Sequence, residues 1–299
     1  MNWLDRTVGL FSPRHGLARV RYRNALAIAA RGYEGAGVGR RTEGWRTPGT
    51  GANTEVAVAL PRLRDRSRDL VRNNPHAAKA VQALVSNLVG TGIVARARSG
   101  DTERNEAADA LWSRFVRQCD ADGRTDFNGL QALVARTMVE SGECLVRLRP
   151  RRSDDGLVVP LQLQVLEADH LDSTRSADLP GGGFIQQGIE FDGLGRRMAY
   201  WLYPVHPGEV AGFRRRSLQS RRIPARFVAH VFERLRPGQE RGVPWCAPAI
   251  LKLRDLDEYD DAELIRKKIE ACFAAFVTEG EEGETLGQSR IDGDGRRIE

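Results

Sequence analysis

From Ala249 to Val277 the chain contains neither glycine nor proline. Over that stretch Leu253, Leu256, Tyr259, Ala262, Ile265, Ile269, Cys272 and Phe276 recur every three or four residues. The spacing predicts a single helix of about 30 residues that opens at Ala247, with Pro248 in its first turn, and runs for roughly 45 Å. Such a helix is well above the usual length. Its first half is acidic (Asp255, Asp257, Glu258, Asp260, Asp261, Glu263), and Arg266, Lys267 and Lys268 follow. That order suits the helix dipole, and Glu263 with Lys267 has the spacing of a favourable ion pair. An apolar stripe of this length needs a partner, either the rest of this chain or a copy of it.

Upstream, the chain reads as an α+β body. Residues 1–60 have the character of an arm: a short helix is expected over Leu17–Ala30, and then Gly32, Gly35, Gly37 and Gly39, with Gly44, Pro48, Gly49 and Gly51, interrupt any regular pattern. From Leu63 to Leu88 apolar residues fall at helical spacing. Pro75 after Asn73-Asn74 divides the stretch into two helices, with Asn74 as N-cap and Gly90 and Gly92 as the stop. Helices are expected over Thr102–Gln118 and Phe127–Glu140. The second ends at Gly142 and feeds a strand in which Cys144, Val146 and Leu148 alternate with Leu145, Arg147 and Arg149. Strands follow at Leu161–Leu166, at Phe184–Asp192 and Arg197–Tyr203 around a Gly193–Gly195 turn, and at Phe227–Phe232. The arginine-rich stretch Gly208–Arg222 (Arg214, Arg215, Arg216, Arg221, Arg222) is expected to be an exposed excursion. The predicted organisation is therefore an irregular arm over 1–60, a mixed helical and antiparallel β body over 61–245, a long helix over 246–278, and a Gly- and charge-rich flexible tail over 279–299.

The chemistry-bearing residues exclude more than they suggest. Cys119, Cys144, Cys246 and Cys272 form no CxxC pair, and the five histidines are scattered, so metal-ligand spacing is absent and the cysteines read as reduced structural residues. There is no GxxxxGK[ST] loop, no GxSxG elbow and no HExxH helix. Gly181-Gly182-Gly183 precedes a strand rather than a helix, so it is a turn and not a phosphate cradle. Asp169-His170 has no nucleophile beside it in sequence and reads as structural. No catalytic residue, cofactor or metal is expected, and the chain is not expected to be an enzyme. Net charge is +6 and the pI about 9.4, but 40 acidic residues are interleaved with 46 basic ones. Charge alone does not name a partner. Arg40, Arg41 and Arg46 around Trp45 could grip a phosphate backbone or lie across a neighbouring subunit.

Several segments together resemble the lambda-type family of tailed-phage portal proteins. The sharpest is Leu63–Gly92, where Arg68, Leu70, Arg72, Asn73 and Asn74 match an R-x-L-x-R-N-N element and Gly90 and Gly92 its V-G-T-G close. Tyr33-Glu34-Gly35-Ala36 with Trp45 is similar to the family's N-terminal arm. Gly142-Glu143-Cys144 is similar to its helix-to-strand step, and Gly188–Asp192 with Ala199–Tyr203 to its central hairpin. His230-Val231-Phe232, then Arg236–Gln239 and Arg241-Gly242-Val243-Pro244, are similar to the lead into its long helix.

The resemblance implies a wing-like α+β body and a stem-like helix in a subunit of a ring, usually of twelve copies, at one capsid vertex. Such a ring passes double-stranded DNA during packaging and ejection. It docks the terminase large subunit, then the head-tail connector, and is built in the host cytoplasm without a membrane. It implies that Arg266, Lys267 and Lys268 lie at a channel or subunit surface. Family members continue beyond the long helix into further β structure and an N-Y-S-S-type motif that this sequence does not contain, so the chain is expected to be C-terminally shortened. The alternative function is a basic nucleic-acid-binding module that does not assemble.

Overall fold

The computed structural model describes residues 49–209 and 219–273 without a break, and isolated positions nearer the two ends. The chain divides into two units, residues 1–51 and 52–299. The second is described here. The helix expected over Leu17–Ala30 and the basic stretch around Trp45 fall essentially outside the described residues, as do 210–218 of the arginine-rich excursion.

Four helices come first: Ala52–Asn73 (α1), Pro75–Val89 (α2), Thr102–Gln118 (α3) and Phe127–Ser141 (α4). Asn74, Asp101 and Asp126 cap α2, α3 and α4, each accepting a hydrogen bond from the backbone N–H three residues on. Helix α1 begins earlier than the apolar spacing from Leu63 implies, at Ala52, and runs through Pro61. The proline removes one backbone donor. Burial of Ala52, Leu60 and Val71 on the helix's inner face sustains it.

Helix α4 passes straight into strand Glu143–Pro150 (β1) through Gly142, whose φ of 90° no side-chain-bearing residue adopts easily. β1 is the central strand of a three-stranded antiparallel sheet, between Leu161–Glu167 (β2) and Val228–Phe232 (β8). Alternation gives this sheet two faces. One carries Leu163 and Val165 and packs on α3 and α4, where Phe115, Cys119 and Leu130 are buried with Trp112 and Phe127 against them. The other carries Leu145, Leu166 and Val228. It packs on a five-stranded antiparallel sheet in chain order: Ala177–Asp178 (β3), Phe184–Gln186 (β4), Ile189–Phe191 (β5), Arg197–Leu202 (β6) and Arg221–Pro224 (β7). A third cluster, Val71, Val81 and Val139 with Trp245, joins α1, α2 and α4. The chain is thus α+β, in helix, sheet and sheet layers.

Three local readings need correction. Phe184–Asp192 is not one strand but the hairpin β4–β5, turned at Gln187 and Gly188, both with positive φ (50° and 81°). A Gln-Gly pair supplies that turn less conspicuously than Asn-Gly. Arg221 and Arg222 belong to strand β7 rather than to the excursion, and Arg222 pairs with Glu190 across the sheet. In the tail, Arg290–Ile291 (β9) and Arg297–Ile298 (β10) form a short antiparallel pair where no regular structure was expected.

After a 3₁₀ turn at Ala247–Ala249, the last helix runs from Ile250 to Cys272 (α5), 23 residues. Residues 274–289 lie outside the described set. Among the described residues its first three turns touch the body: Ile250 is buried, the Asn74 amide donates to the Leu253 carbonyl and to Asp257, and Asp260 lies 3.4 Å from His76. Further along, Tyr259, Leu264, Ile265 and Ile269 are each more than half exposed. Among the described residues no helix is long and apolar enough to cross a membrane.

Candidate functional site

At the point where α4 becomes β1, Glu143 is completely buried. A carboxylate there is tolerable only if its charge is balanced and its lone pairs are filled. Arg64 on α1 donates to Oε1 at 2.7 Å. Arg241 grips both oxygens, Nε at 3.0 Å from each and Nη2 at 2.6 Å from Oε1. The Gly242 N–H donates to Oε2 at 2.9 Å, and His230 Nε2 on β8 donates to the same oxygen at 2.9 Å. Both arginines are buried, at 6% and 2% exposure.

A second carboxylate extends the network. Asp169 lies 2.6 Å from Arg68 and 3.5 Å from Arg64, and Arg68 also reaches Glu167 at 3.1 Å and the Ser141 hydroxyl at 3.0 Å. Burial pushes the Glu143 carboxyl upward, but Arg241 and the hydrogen bond from His230 outweigh it and hold the group well below the usual carboxylate range. Asp169 is held low in the same way against its own desolvation, by Arg68 and Arg64. For His230 burial wins over Glu143, and the imidazole stays below its ordinary value. Its Nε2–H points at the carboxylate, which leaves a buried, unpartnered Nδ1. Burial, and then Glu143, lifts the Cys144 thiol to about 12, and burial lifts Cys119 to about 11, so both are inert thiols.

Glycines allow this approach. A Cβ on Gly142 would run into the backbone of Val243 and Pro244, and one on Gly242 into the Gly142 carbonyl. The two backbones therefore cross in contact, and Trp245 N–H then donates to the Val139 carbonyl. Ser67, also fully buried, bonds the Glu140 carbonyl and lies 2.9 Å from Cys246 Sγ. Helix α1, the α4–β1 step, β8 and the 241–246 segment are clamped together here.

The residues singled out in the sequence separate into groups. Arg68, Arg241 and Gly242 meet in this centre. Asn74 is buried and ties α2 to α5. Leu70 lines the cleft between α1 and α5. Gly90 closes α2 at φ 58°, and Gly92, at φ 109°, abuts the Asn128 side chain. Arg72 and Asn73 are exposed, and the Asn73 amide donates to Asp69 one turn back. Arg266, Lys267 and Lys268 lie on exposed α5, where Arg266 pairs with Glu263 and Glu270, and Lys267 with Glu270 rather than Glu263. Sequence reasoning missed Arg64 and the roles of His230 and Glu143 in the charge balance. The one available signal was an acid directly after a helix-ending glycine, inside an otherwise apolar strand start.

Asp169 and Glu167 lie with His206 close enough for their ligand atoms to share an ion. Arg68 already sits on both carboxylates and supplies the positive charge, so the group reads as an ion-pair cluster. His170, beside Asp169, shares a hydrogen bond between Nδ1 and the Tyr203 carbonyl. Glu143, Arg64, Arg241 and the His230 side chain are all shielded from solvent, and the last three each contact the Glu143 carboxylate.

A family model described as phage portal protein, lambda family, matches residues 38–298. The chain belongs to the lambda family of phage portal proteins. Among curated relatives, one from Halomonas phage phiHAP-1, named Probable portal protein, is 30% identical over 231 residues, covering 74% of this chain and 43% of its own length. Portal protein B of Escherichia phage lambda is 23% identical over 281 residues, covering 87% of this chain and 51% of its own length. The chain thus spans about half the length of the curated relatives it matches. A solved chain from the neck of an empty gene transfer agent particle superposes with a TM-score of 0.39 at 16% identity, over 74% of this chain and 48% of that one.

Proposed function

We propose that the chain contributes the body and the long helix of a ring-forming portal subunit, through which double-stranded DNA passes in packaging and ejection. The ring, of twelve copies by family resemblance, sits at a capsid vertex after assembly in the host cytoplasm. There it meets the terminase large subunit, the capsid and the head-tail connector. One observation supports this reading above the others. Among the described residues helix α5 is braced by the body over Ile250–Asp260, and beyond them it offers Leu264, Ile265 and Ile269 to a partner. A helix of 23 residues spans about 35 Å, and so many exposed apolar groups on it call for a covering surface. Copies of the same helix, side by side, provide one. The exposed ion pairs of Arg266 and Lys267 with Glu263 and Glu270, and the charge of Lys268, then lie at the subunit boundary or the channel wall.

Negative-stain microscopy and light scattering of the purified chain test this. Rings are expected, together with their loss in Ile265→Glu/Ile269→Glu while the far-ultraviolet spectrum and the monomer's unfolding midpoint stay unchanged. A wild-type chain that remains monomeric at every concentration, or a variant that assembles as well as the wild type, would refute the proposal.

A further inference from the structure

The face of the three-stranded sheet that packs on the five-stranded sheet changes character partway along. Where the second sheet covers it, the pairs are apolar: Leu145 opposite Leu166, with Val228 beside them. At the edge of the covered part stands Arg147, opposite Gln164 on β2 and the buried Val228 on β8, and past it Arg149 lies opposite Gln162. Arg151 continues the row just past the end of β1, and Arg221, at the start of β7, lies close enough to act on Arg147. Among the described residues none of these four arginines has an ion-pair partner.

What they have instead are glutamines. Arg149 donates to the Gln164 side-chain oxygen at 3.1 Å and Arg151 to that of Gln162 at 2.9 Å. The Gln162 amide is itself held by the carbonyls of Gln118 and Asp120. Neutral acceptors thus orient the guanidinium groups and leave their charge intact. Arg147 bears the strain of this crowding. Half-buried and facing Arg149 and Arg221, it is held below the ordinary arginine value by burial and by those like charges. Guanidinium groups packed together without a counter-charge repel one another, and an anion from outside relieves them.

The acidic part of α5 is a poor source for that anion, even from a second copy. Five of its six carboxylates are engaged where they stand, Asp261 excepted: Asp255 with Lys252, Glu258 with Arg254, Asp260 with His76, Asp257 with Asn74 and Glu263 with Arg266. Alternate residues on a strand place Arg147, Arg149 and Arg151 about 6.8 Å apart along its length. A duplex carries one phosphate charge per ~1.7 Å of axis, so a row of guanidinium groups without ion-pair partners meets a dense counter-charge along its surface. Arginine's fork suits phosphate oxygens in two-point contact.

We infer that the Arg147–Arg149–Arg151 row, with Arg221 beside it, is a docking surface for a nucleic-acid phosphate backbone. It contacts the duplex without reading its sequence, because no base-reading group is part of it. The inference takes from the portal reading only the choice of duplex DNA as probe. It does not depend on ring formation, so microscopy and binding can fail separately.

The test is fluorescence anisotropy of the full chain with a random-sequence 30-base-pair duplex, over a salt series. Arg147→Gln/Arg149→Gln/Arg221→Gln is compared with a control that removes three exposed helical arginines, Arg66→Gln/Arg104→Gln/Arg117→Gln. Each lost phosphate contact lowers the slope of log affinity against log salt by about one. The row variant is therefore expected to lose about three from the slope and at least tenfold in affinity, while the control keeps the wild-type slope. Arg149→Gln alone, on the less crowded arginine, is expected to lose about one and guards against misfolding of the triple variant. Equal slopes for row variant and wild type would overturn the inference. So would tighter binding of polyglutamate than of the duplex, which would make the row a site for an acidic protein.

Discussion

The sharpest consequence of the buried centre concerns Glu143→Gln. The substitution keeps the shape of the side chain and removes its charge. Two guanidinium groups, at 6% and 2% exposure, then lose the anion that both contact. Arg64 keeps Asp169 at 3.5 Å and is partly compensated, whereas among the described residues Arg241 has Glu143 as its ion-pair partner. The new amide NH₂ must also face donors on Arg241, Gly242 and His230. Removing one member of a buried ion pair costs about 3–5 kcal/mol. One arginine fully stranded and one half-compensated place Glu143→Gln near 4 kcal/mol on that scale. For a domain of this size the corresponding drop in Tm is roughly 8–16 °C.

Urea unfolding of the full chain, followed by tryptophan fluorescence, measures the loss. A double-mutant cycle sharpens it: in Glu143→Leu/Arg241→Leu both charges leave together, so the pair is expected to be at least about 2 kcal/mol more stable than the sum of the two single changes. A Glu143→Gln protein within about 1 kcal/mol of wild type, or strict additivity in the cycle, would refute the claim that this carboxylate is the counter-charge of a buried arginine pair.

Acid should act on the same centre in two stages. His230 has a folded value below its ordinary 6.5, so the unfolded chain takes up its proton first and stability falls as pH drops through about 6.5. Glu143 and Asp169 are held low, so their contribution is present above the ordinary carboxylate range and is lost below about pH 4. Unfolding midpoints from pH 4.5 to 7.5 should slope in the wild type and flatten in His230→Phe; an unchanged slope would remove the histidine from the account. Gly242→Ala places a methyl against the Gly142 carbonyl and Phe232, and a backbone collision of that kind is expected to cost about 3 kcal/mol in the same urea assay; wild-type stability would mean that the two strands do not cross so closely. Asn74→Ala should cost about 1–2 kcal/mol, lost with the cap and with the bonds to Leu253 and Asp257. It should also raise amide hydrogen exchange in the first two turns of α5, whereas Arg72→Ala, from the same sequence element, should stay within about 0.5 kcal/mol.

Most of the helices were legible because periodicity and caps report local forces. Asn74, Asp101 and Asp126 stand where each helix begins, and Gly90 and Gly142 where two of them stop. The start of α1 was hidden, because Pro61 argues locally against a helix that tertiary burial of Ala52 and Leu60 maintains. The β4–β5 hairpin was hidden by a glutamine in a left-handed turn. The buried centre was legible only in pieces. The Arg68, Gly142–Cys144 and Arg241–Gly242 segments were each singled out, yet what unites them is a charge balance across 98 residues between Glu143 and Arg241. No local pattern encodes that balance, and Arg64 and His230 look like ordinary surface and strand residues until the partner is in place.

The crossing of Gly142 and Gly242 bears on how the chain acquires its structure during synthesis. Helices α1 to α4 are built from short-range contacts and can form as they emerge from the ribosome. The Glu143 carboxylate, however, must wait for Arg241, 98 residues later, which at bacterial elongation speeds is about 5–20 s. Until then the start of β1 carries a charge it cannot bury fully, and the β1–β8 pairing that surrounds it lacks its last strand. The body should therefore close late and in one step, as the 241–246 segment threads into place just ahead of the long helix. If the subunit assembles through that helix as proposed, its body is complete before the assembly surface emerges.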